Sequence, residues 1–264
     1  MAVTVKVDTS GMDRALREFG EGSRRRIEIA AQRAVLKTAR AVMDAERAEM
    51  QRVFDRPTRW TLNAFRVALG KESMWAGKLR TEGGSEISAS LQVKDGYWYR
   101  ADAYLDTQIT GGQRRQKAFE KALQAVGVPP AGWLVVPGQK AKLDAYGNHS
   151  PAEIRQILSW FSAAERVAGS TQNMTDATRA KRRKGTRTKR GFEYVAIKPG
   201  NRRGRLLPGI YRRTFFGFGS GIEPVMIFVQ RASYKPRFDF YGLGQRVSDA
   251  TFAQAFNDAF DASQ

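Results

Sequence analysis

SRRRIEIAAQRAVLKTARAVMDAERAEMQRVF, residues 23 to 54, is the stretch that decides the fold class. Ser23 can cap a helix, and Ile27, Ala31, Ala34, Val35, Thr38, Ala41, Val42, Ala45 and Val53 then recur on one face at about 100° per residue. The spacing predicts one long helix to about Phe54. Its stripe is rich in alanine, so a second helix or a sheet can approach closely. Arg26, Arg33, Arg40 and Arg47 recur every seven residues on another face and form a basic ridge. The plain reading of that ridge is a solvated face, with a contact for an acidic partner as the alternative. Asp44, Glu46 and Glu49 read as solvated helix partners of Arg40 and Arg47.

Upstream, Val3, Val5 and Val7 alternate with polar residues and predict a short strand. Met12 to Phe19 reads as a short helix that Gly20 and Gly22 break. Downstream, Arg56-Pro57-Thr58 ends the long helix, and Thr61 to Leu69 reads as another helical piece. Glu86 to Val93 and Tyr97 to Leu105 alternate around Lys94-Asp95-Gly96, which predicts a β-hairpin. Gln113 to Val126 is read as a helix with Phe119, Ala122, Leu123 and Val126 inward, closed by Gly127 and Pro129-Pro130. Trp133 to Val136 is a strand candidate. Ser150-Pro151-Ala152-Glu153 has the form of a capping box, with Ile154, Ile157, Leu158, Phe161 and Ala164 as the buried face behind it. Ser170 to Arg190 holds almost nothing to bury and is expected to be a mobile arm. Phe192 to Ile197 and Val225 to Val229 read as strands, and Ser248 caps a last helix over Asp249 to Phe260. Phe252, Phe256 and Phe260 stand four apart on it, as core or as a subunit contact.

The expected class is α+β, with a long N-terminal helix on a mostly antiparallel sheet, a C-terminal helix and an inserted middle region. The expected division is residues 1–69 completed by 192–264, an inserted subdomain over 70–169, and a basic linker over 170–191. Apolar residues are 42% of the 264, enough for a real core. There is no cysteine, so disulfides and thiolate metal sites are excluded. No signal peptide is visible at Met1 to Thr9, and no run approaches the roughly 18 apolar residues of a membrane span. A soluble protein that stays in the cell making it is therefore expected, with no membrane contact.

Charge is the informative quantity. The chain carries 45 Lys and Arg against 26 Asp and Glu, a net +19. Between Arg179 and Arg213 there are fourteen basic residues and a single acid, Glu193. Most of the net charge is thus local. Arg182, Arg183, Lys184, Arg187, Lys189, Arg190, Arg202, Arg203, Arg205, Arg212 and Arg213 are the candidate contacts for nucleic acid or for an acidic protein partner. Arginine predominates, and its planar fork suits phosphate and carboxylate alike. Phosphate contact, docking on acidic protein and a solvated loop all remain open. No motif for reading base sequence is present.

Catalytic chemistry is thinly represented. His149 is the one histidine, in a polar turn, and is read as ordinary surface. A nuclease-like carboxylate site built on Asp44, Glu46 and Glu49 is outweighed by helix pairing. Gly217-Phe218-Gly219-Ser220-Gly221 lacks the sequel of a phosphate loop and reads as a turn between strands. No cofactor, metal or catalytic residue is assigned.

Three features together resemble the tail-completion, or minor tail protein Z-like, proteins of long-tailed bacteriophages. They are the opening strand followed by the basic helix from Arg24-Arg25-Arg26 to Phe54, the Lys181-Arg182-Arg183-Lys184 run ahead of a strand, and the closing sequence. That last runs from Pro208-Gly209-Ile210-Tyr211-Arg212-Arg213 through Val225 to Val229 and Ala232-Ser233-Tyr234-Lys235-Pro236-Arg237-Phe238 to a final helix. The resemblance covers about half the chain, and residues 70–169 have no counterpart in it. It implies a non-enzymatic virion protein, made in the host cytoplasm and placed at the head-proximal end of the tail. Its implied partners are tail tube or tail terminator proteins, head-tail connector proteins, the packaged DNA, and further copies of itself in a cyclic oligomer.

Overall fold

In a computed structural model the described residues are 2–7, 12–69, 87–96, 99–100, 102–167, 172–200 and 204–262. The elements run β1 (Ala2–Val7), α1 (Met12–Val53), α2 (Arg59–Leu62), β2 (Phe65–Leu69), β3 (Ile87–Val93), β4 (Asp95–Gly96), β5 (Tyr99–Arg100), α3 (Asp102–Ile109), β6 (Gly112–Gln113), α4 (Ala118–Ala125), β7 (Leu134–Pro137), α5 (Pro151–Trp160), a 3₁₀ turn (Ala164–Arg166), α6 (Asp176–Lys184), β8 (Phe192–Ile197), β9 (Gly209–Phe216), β10 (Gly219–Val229), β11 (Ser233–Tyr234) and α7 (Phe240–Asp261). The class is α+β, as expected. The chain divides into two compact units, residues 1–112 with 235–264, and residues 113–234.

The first unit is an antiparallel sheet in the order β1-β3-β2 with α1 and α7. Strand β3 alternates strictly, burying Ile87, Ala89, Leu91 and Val93. The alanine stripe of α1 buries Ala30, Ala31, Ala34 and Ala39, which lets α7 and the sheet come close. Phe252 and Phe256 pack on Ala31, Val35 and Ala39, and Arg26 lies over the Phe260 ring at 5.1 Å. The phenylalanine ridge therefore faces α1 of its own chain. A second cluster gathers Met50, Phe65, Leu105, Phe238 and Phe240, with Phe65 stacked on Phe240 at 5.1 Å.

Several expected boundaries move. Gly20 and Gly22 do not break α1, which runs 42 residues without interruption. Each helical glycine costs only about 1 kcal/mol. Thr61 to Leu69 is mostly strand, because Val67 and Phe65 pair with Leu91 and Val93 of β3. The predicted hairpin arm Tyr97 to Leu105 is a two-residue strand followed by helix α3, while β3 pairs with β1 and β2 instead. Tyr97 and Trp98 lie outside the described residues. The last helix begins at Phe240, not at Asp249. Asp239 caps it by accepting the Gly242 N–H at 3.1 Å.

The second unit is an antiparallel sheet in the order β7-β10-β9-β8, with α4 and α5 over a core of Leu123, Ile157, Leu158, Trp160, Tyr194, Ile210 and Met226. The expected grouping of 192–264 with 1–69 gives way here. Strand β10 pairs with β7, so β8, β9 and β10 belong with the middle of the chain. Helix α4 starts at Ala118, five residues later than expected, because Glu120 uses residues 114 to 117 as a clamp. Its carboxylate accepts the Lys117 N–H at 2.6 Å and the Val135 N–H at 2.7 Å, and is paired with Arg114 at 2.5 Å. Helix α5 starts at Pro151 as expected, but Ser150 makes no side-chain cap. Glu153 has turned away to the Lys142 N–H at 2.7 Å and to His149 Nε2 at 3.0 Å.

Two buried carboxylates respond to pH in opposite senses. Burial pushes Glu46 up to about 8, helped by Asp239 and Glu49. Burial alone would also raise Glu120, but Arg114 and the two N–H donors hold it below its usual range. Between about pH 4.5 and pH 8 the folded chain keeps a proton on Glu46 that the unfolded chain releases, so this residue's contribution falls as pH rises. Glu46→Gln is expected to match the parent near pH 4.5 and to be more stable by about 4 kcal/mol at pH 8.5, read from urea unfolding across pH. Glu120→Ala is expected to cost about 3 to 5 kcal/mol at pH 7, since it strands Arg114 and two N–H groups.

Candidate polyanion-binding surface

The arm expected to be mobile, Ser170 to Arg190, is instead built into helix α6 and a fixed turn over its described residues, 172–190. Helix α6 is polar on every side, so it carries no apolar stripe, but its ends are well specified. Thr175 caps it by accepting the Thr178 N–H, Asp176 lies in the first turn, and Lys181, Arg182, Arg183 and Lys184 fill the last. That distribution opposes the helix dipole, and Gly185 at φ +73° ends the helix. Arg179 ties α6 to the end of α5, donating to the Trp160 carbonyl at 3.0 Å and to Ser162 Oγ at 2.6 Å.

Glu193 holds the rest together. It is buried in β8, opposite Arg213 of β9, and pairs with Arg213 and with Arg183 of α6, the latter at 2.6 Å. The end of α6 presses on the start of β8 so closely that a Cβ on Gly191 would run into the Arg183 carbonyl. The turn between them is fixed by Thr186 N–H to the Lys189 carbonyl at 2.8 Å and Lys189 N–H to Thr186 Oγ1 at 3.0 Å. The Phe215 N–H donates to the Gly191 carbonyl at 2.9 Å, which joins this turn to β9.

The predicted contact residues separate into groups. Lys184, Arg187, Lys189 and Arg190 are exposed, Arg182 is half-buried, and all five lie on α6 and its turn, as does exposed Lys181. Among the described residues Lys181, Arg182, Lys184, Arg187 and Lys189 form no ion pair. Arg183 and Arg213 are committed to Glu193, and Arg212 lies over the Phe192 ring at 4.2 Å. These three act in holding the sheet together. Arg205 is exposed beyond the other end of β8 and β9, as is Lys198. The six residues of β8 separate the two ends by about 17 Å at a strand's rise per residue. Arg202 and Arg203 lie outside the described residues.

The chemical alternatives are also placed. His149 is not ordinary surface: its side chain is 8% exposed, and burial pushes its pKa down against the pull of Glu153. Asp44 pairs with Arg47 at 3.3 Å and Glu49 with Arg52 at 2.6 Å, while Glu46 is buried with neither oxygen hydrogen-bonded. No group of three or more metal-ligating side chains comes together among the described residues, and no helix among them is long and apolar enough to cross a membrane. Residues 217–221 lie in the β9–β10 hairpin and the start of β10. The caps of α6, Thr175 and Gly185, were the signals that could have revealed it in the sequence.

Comparison of the chain with protein-family models, with curated proteins and with solved structures finds no match.

Glu193→Ala is expected to cost about 2 to 4 kcal/mol, because it leaves Arg213 of β9 and Arg183 of α6 side by side without the acid they share. Hydrogen exchange at the Lys189 and Phe215 amides should quicken more than exchange in the first unit.

Proposed function

We propose that this chain is a non-enzymatic structural protein of a long-tailed phage particle, completing the tail at its head-proximal end and helping it to join the head. The observation that carries the reading is the ordered cationic surface of α6 and its turn, presented outward while Glu193 is consumed internally. A surface whose exposed cations far outnumber its one acid, Asp176 at the start of α6, gains from a polyanionic neighbour that relieves its self-repulsion. Packaged DNA, or the acidic face of a ring of tail proteins, supplies one. Support also comes from the resemblance carried by the opening strand and basic helix, the Lys181-Arg182-Arg183-Lys184 run and the closing sequence from Pro208 to the final helix.

A second reading rests on the same surface: a non-specific nucleic-acid-binding protein that works free of any particle. The two differ in where the protein ends up. Mass spectrometry of purified particles is expected to find this chain, and loss of its gene is expected to leave filled heads and unjoined tails. Its absence from particles, with tight duplex binding by the free monomer, would replace the first reading with the second.

Replacing Lys181, Arg182, Lys184 and Arg187 together by Gln spares the Glu193 pairs, so the melting temperature should hold. The yield of infectious particles should fall. If DNA is the neighbour, the dependence of log affinity on log salt should flatten by about 3 to 4, near one counterion per lost contact. Unchanged yield and unchanged DNA affinity would return α6 to a solvated face.

A further inference from the structure

The hairpin between β9 and β10 ends in Phe216-Gly217-Phe218-Gly219. Phe216 pairs with Gly219, so the turn is Gly217 and Phe218 alone, and Gly219 takes φ +143°. Phe218 is fully exposed at 109%, and Phe216 is 44% exposed. A tight turn has no need of phenylalanine, and an aromatic ring standing free in water forgoes the gain of burial. The two phenylalanines that lead into the turn carry cations. Arg190 lies over the Phe216 ring at 4.8 Å, and Arg213 lies over Phe215 at 5.3 Å. The bond from Phe215 N–H to the Gly191 carbonyl fastens the hairpin to the turn that carries Arg187, Lys189 and Arg190. From residue 177 to residue 222 the one acid is Glu193, and it is buried.

We infer that this tip and turn bind single-stranded nucleic acid, with phosphates on Arg187 and Lys189 and unpaired bases stacked on Phe218 and on the Phe216–Arg190 pair. The inference rests on reading this surface as a polyanion contact and goes on to name the polyanion. Aromatic rings beside cations are what an unpaired strand recognises: each base offers a flat π-face, and each phosphate a charge. In a duplex those faces are already covered by neighbouring bases, and a lone exposed ring has little to stack on. Carboxylates of an acidic protein would satisfy the arginines and leave Phe218 in water. The ring and its cations are matched together only when the partner carries charge and flat apolar faces at alternate positions.

The test uses the full chain and fluorescence anisotropy with a labelled 20-mer of thymidine, a duplex of equal length, and heparin as a polyanion without bases. Sedimentation with vesicles of one part phosphatidylserine to three of phosphatidylcholine is the companion measurement. The single strand should bind at least 10-fold tighter than the duplex. Phe218→Ala should weaken the single strand by roughly 5- to 100-fold, the range for losing one base–aromatic stack, and leave the salt dependence unchanged. Phe218→Tyr should keep the affinity. Arg187→Gln with Lys189→Gln should flatten the salt dependence instead. Melting curves of all variants should overlay, since none of these side chains is buried. Equal binding of duplex and single strand, or indifference to Phe218→Ala, overturns the inference while leaving a polyanion surface standing. Vesicle binding that needs Phe218, with no preference for the single strand, overturns it in favour of a lipid surface. Failure of the parent to bind strand, duplex or heparin removes the polyanion reading itself.

Discussion

Glu193 and its two arginines set what the basic segment can be. A carboxylate buried in a strand is costly unless its charge is met, and here it is met from two directions, by Arg213 on the neighbouring strand and by Arg183 on a helix. The helix is thereby drawn onto the sheet, and the turn after it closes against Gly191, where only a hydrogen leaves room. Without that anchor nothing apolar would hold α6, since it buries no side chain of its own. One acid thus decides which arginines serve the fold and which stay available to a partner.

The same side-chain type plays three parts in this chain, and its donors decide which. Glu120 receives two N–H groups and an arginine, and is held ionised. Glu153 receives an N–H and faces His149. Glu46 receives no hydrogen bond and so favours its proton. Burial is common to all three. The local supply of hydrogen bonds and the sign of the neighbouring charges separate a charge that clamps a loop to a strand from a neutral group that tolerates the core.

The long helix, the α+β class and strands β8 and β10 were legible because a stripe or an alternation declares them. The capped start of α5 was legible for its Pro151, though Glu153 serves elsewhere. What sequence pattern missed was either polar or non-local. Helix α6 lacks an apolar face, so burial gave no signal, while its caps did. The hairpin assigned to residues 86–105 failed because β3 finds its partners 20 and more residues away. The unit boundaries failed for the same reason, as the pairing of β7 with β10 spans most of the second unit. Of the site, the positive residues were legible as a list. Their division into anchors, outward cations and a group beyond the far end of the sheet came from Glu193 and from strand direction. Phe218 carries no sequence signal of its own, because a phenylalanine between glycines reads only as part of a turn.

The chain enters and leaves the second unit at one place. Arg114 N–H donates to the Ala232 carbonyl at 3.3 Å, and β6 pairs with β11. The cationic surface is therefore built in a cassette whose first and last strands pair with each other, set within the sequence of a strand-and-helix frame. Such a cassette can be enlarged, shortened or exchanged in the course of descent without changing the order of elements in the frame. A frame can in this way carry surfaces that vary independently of it.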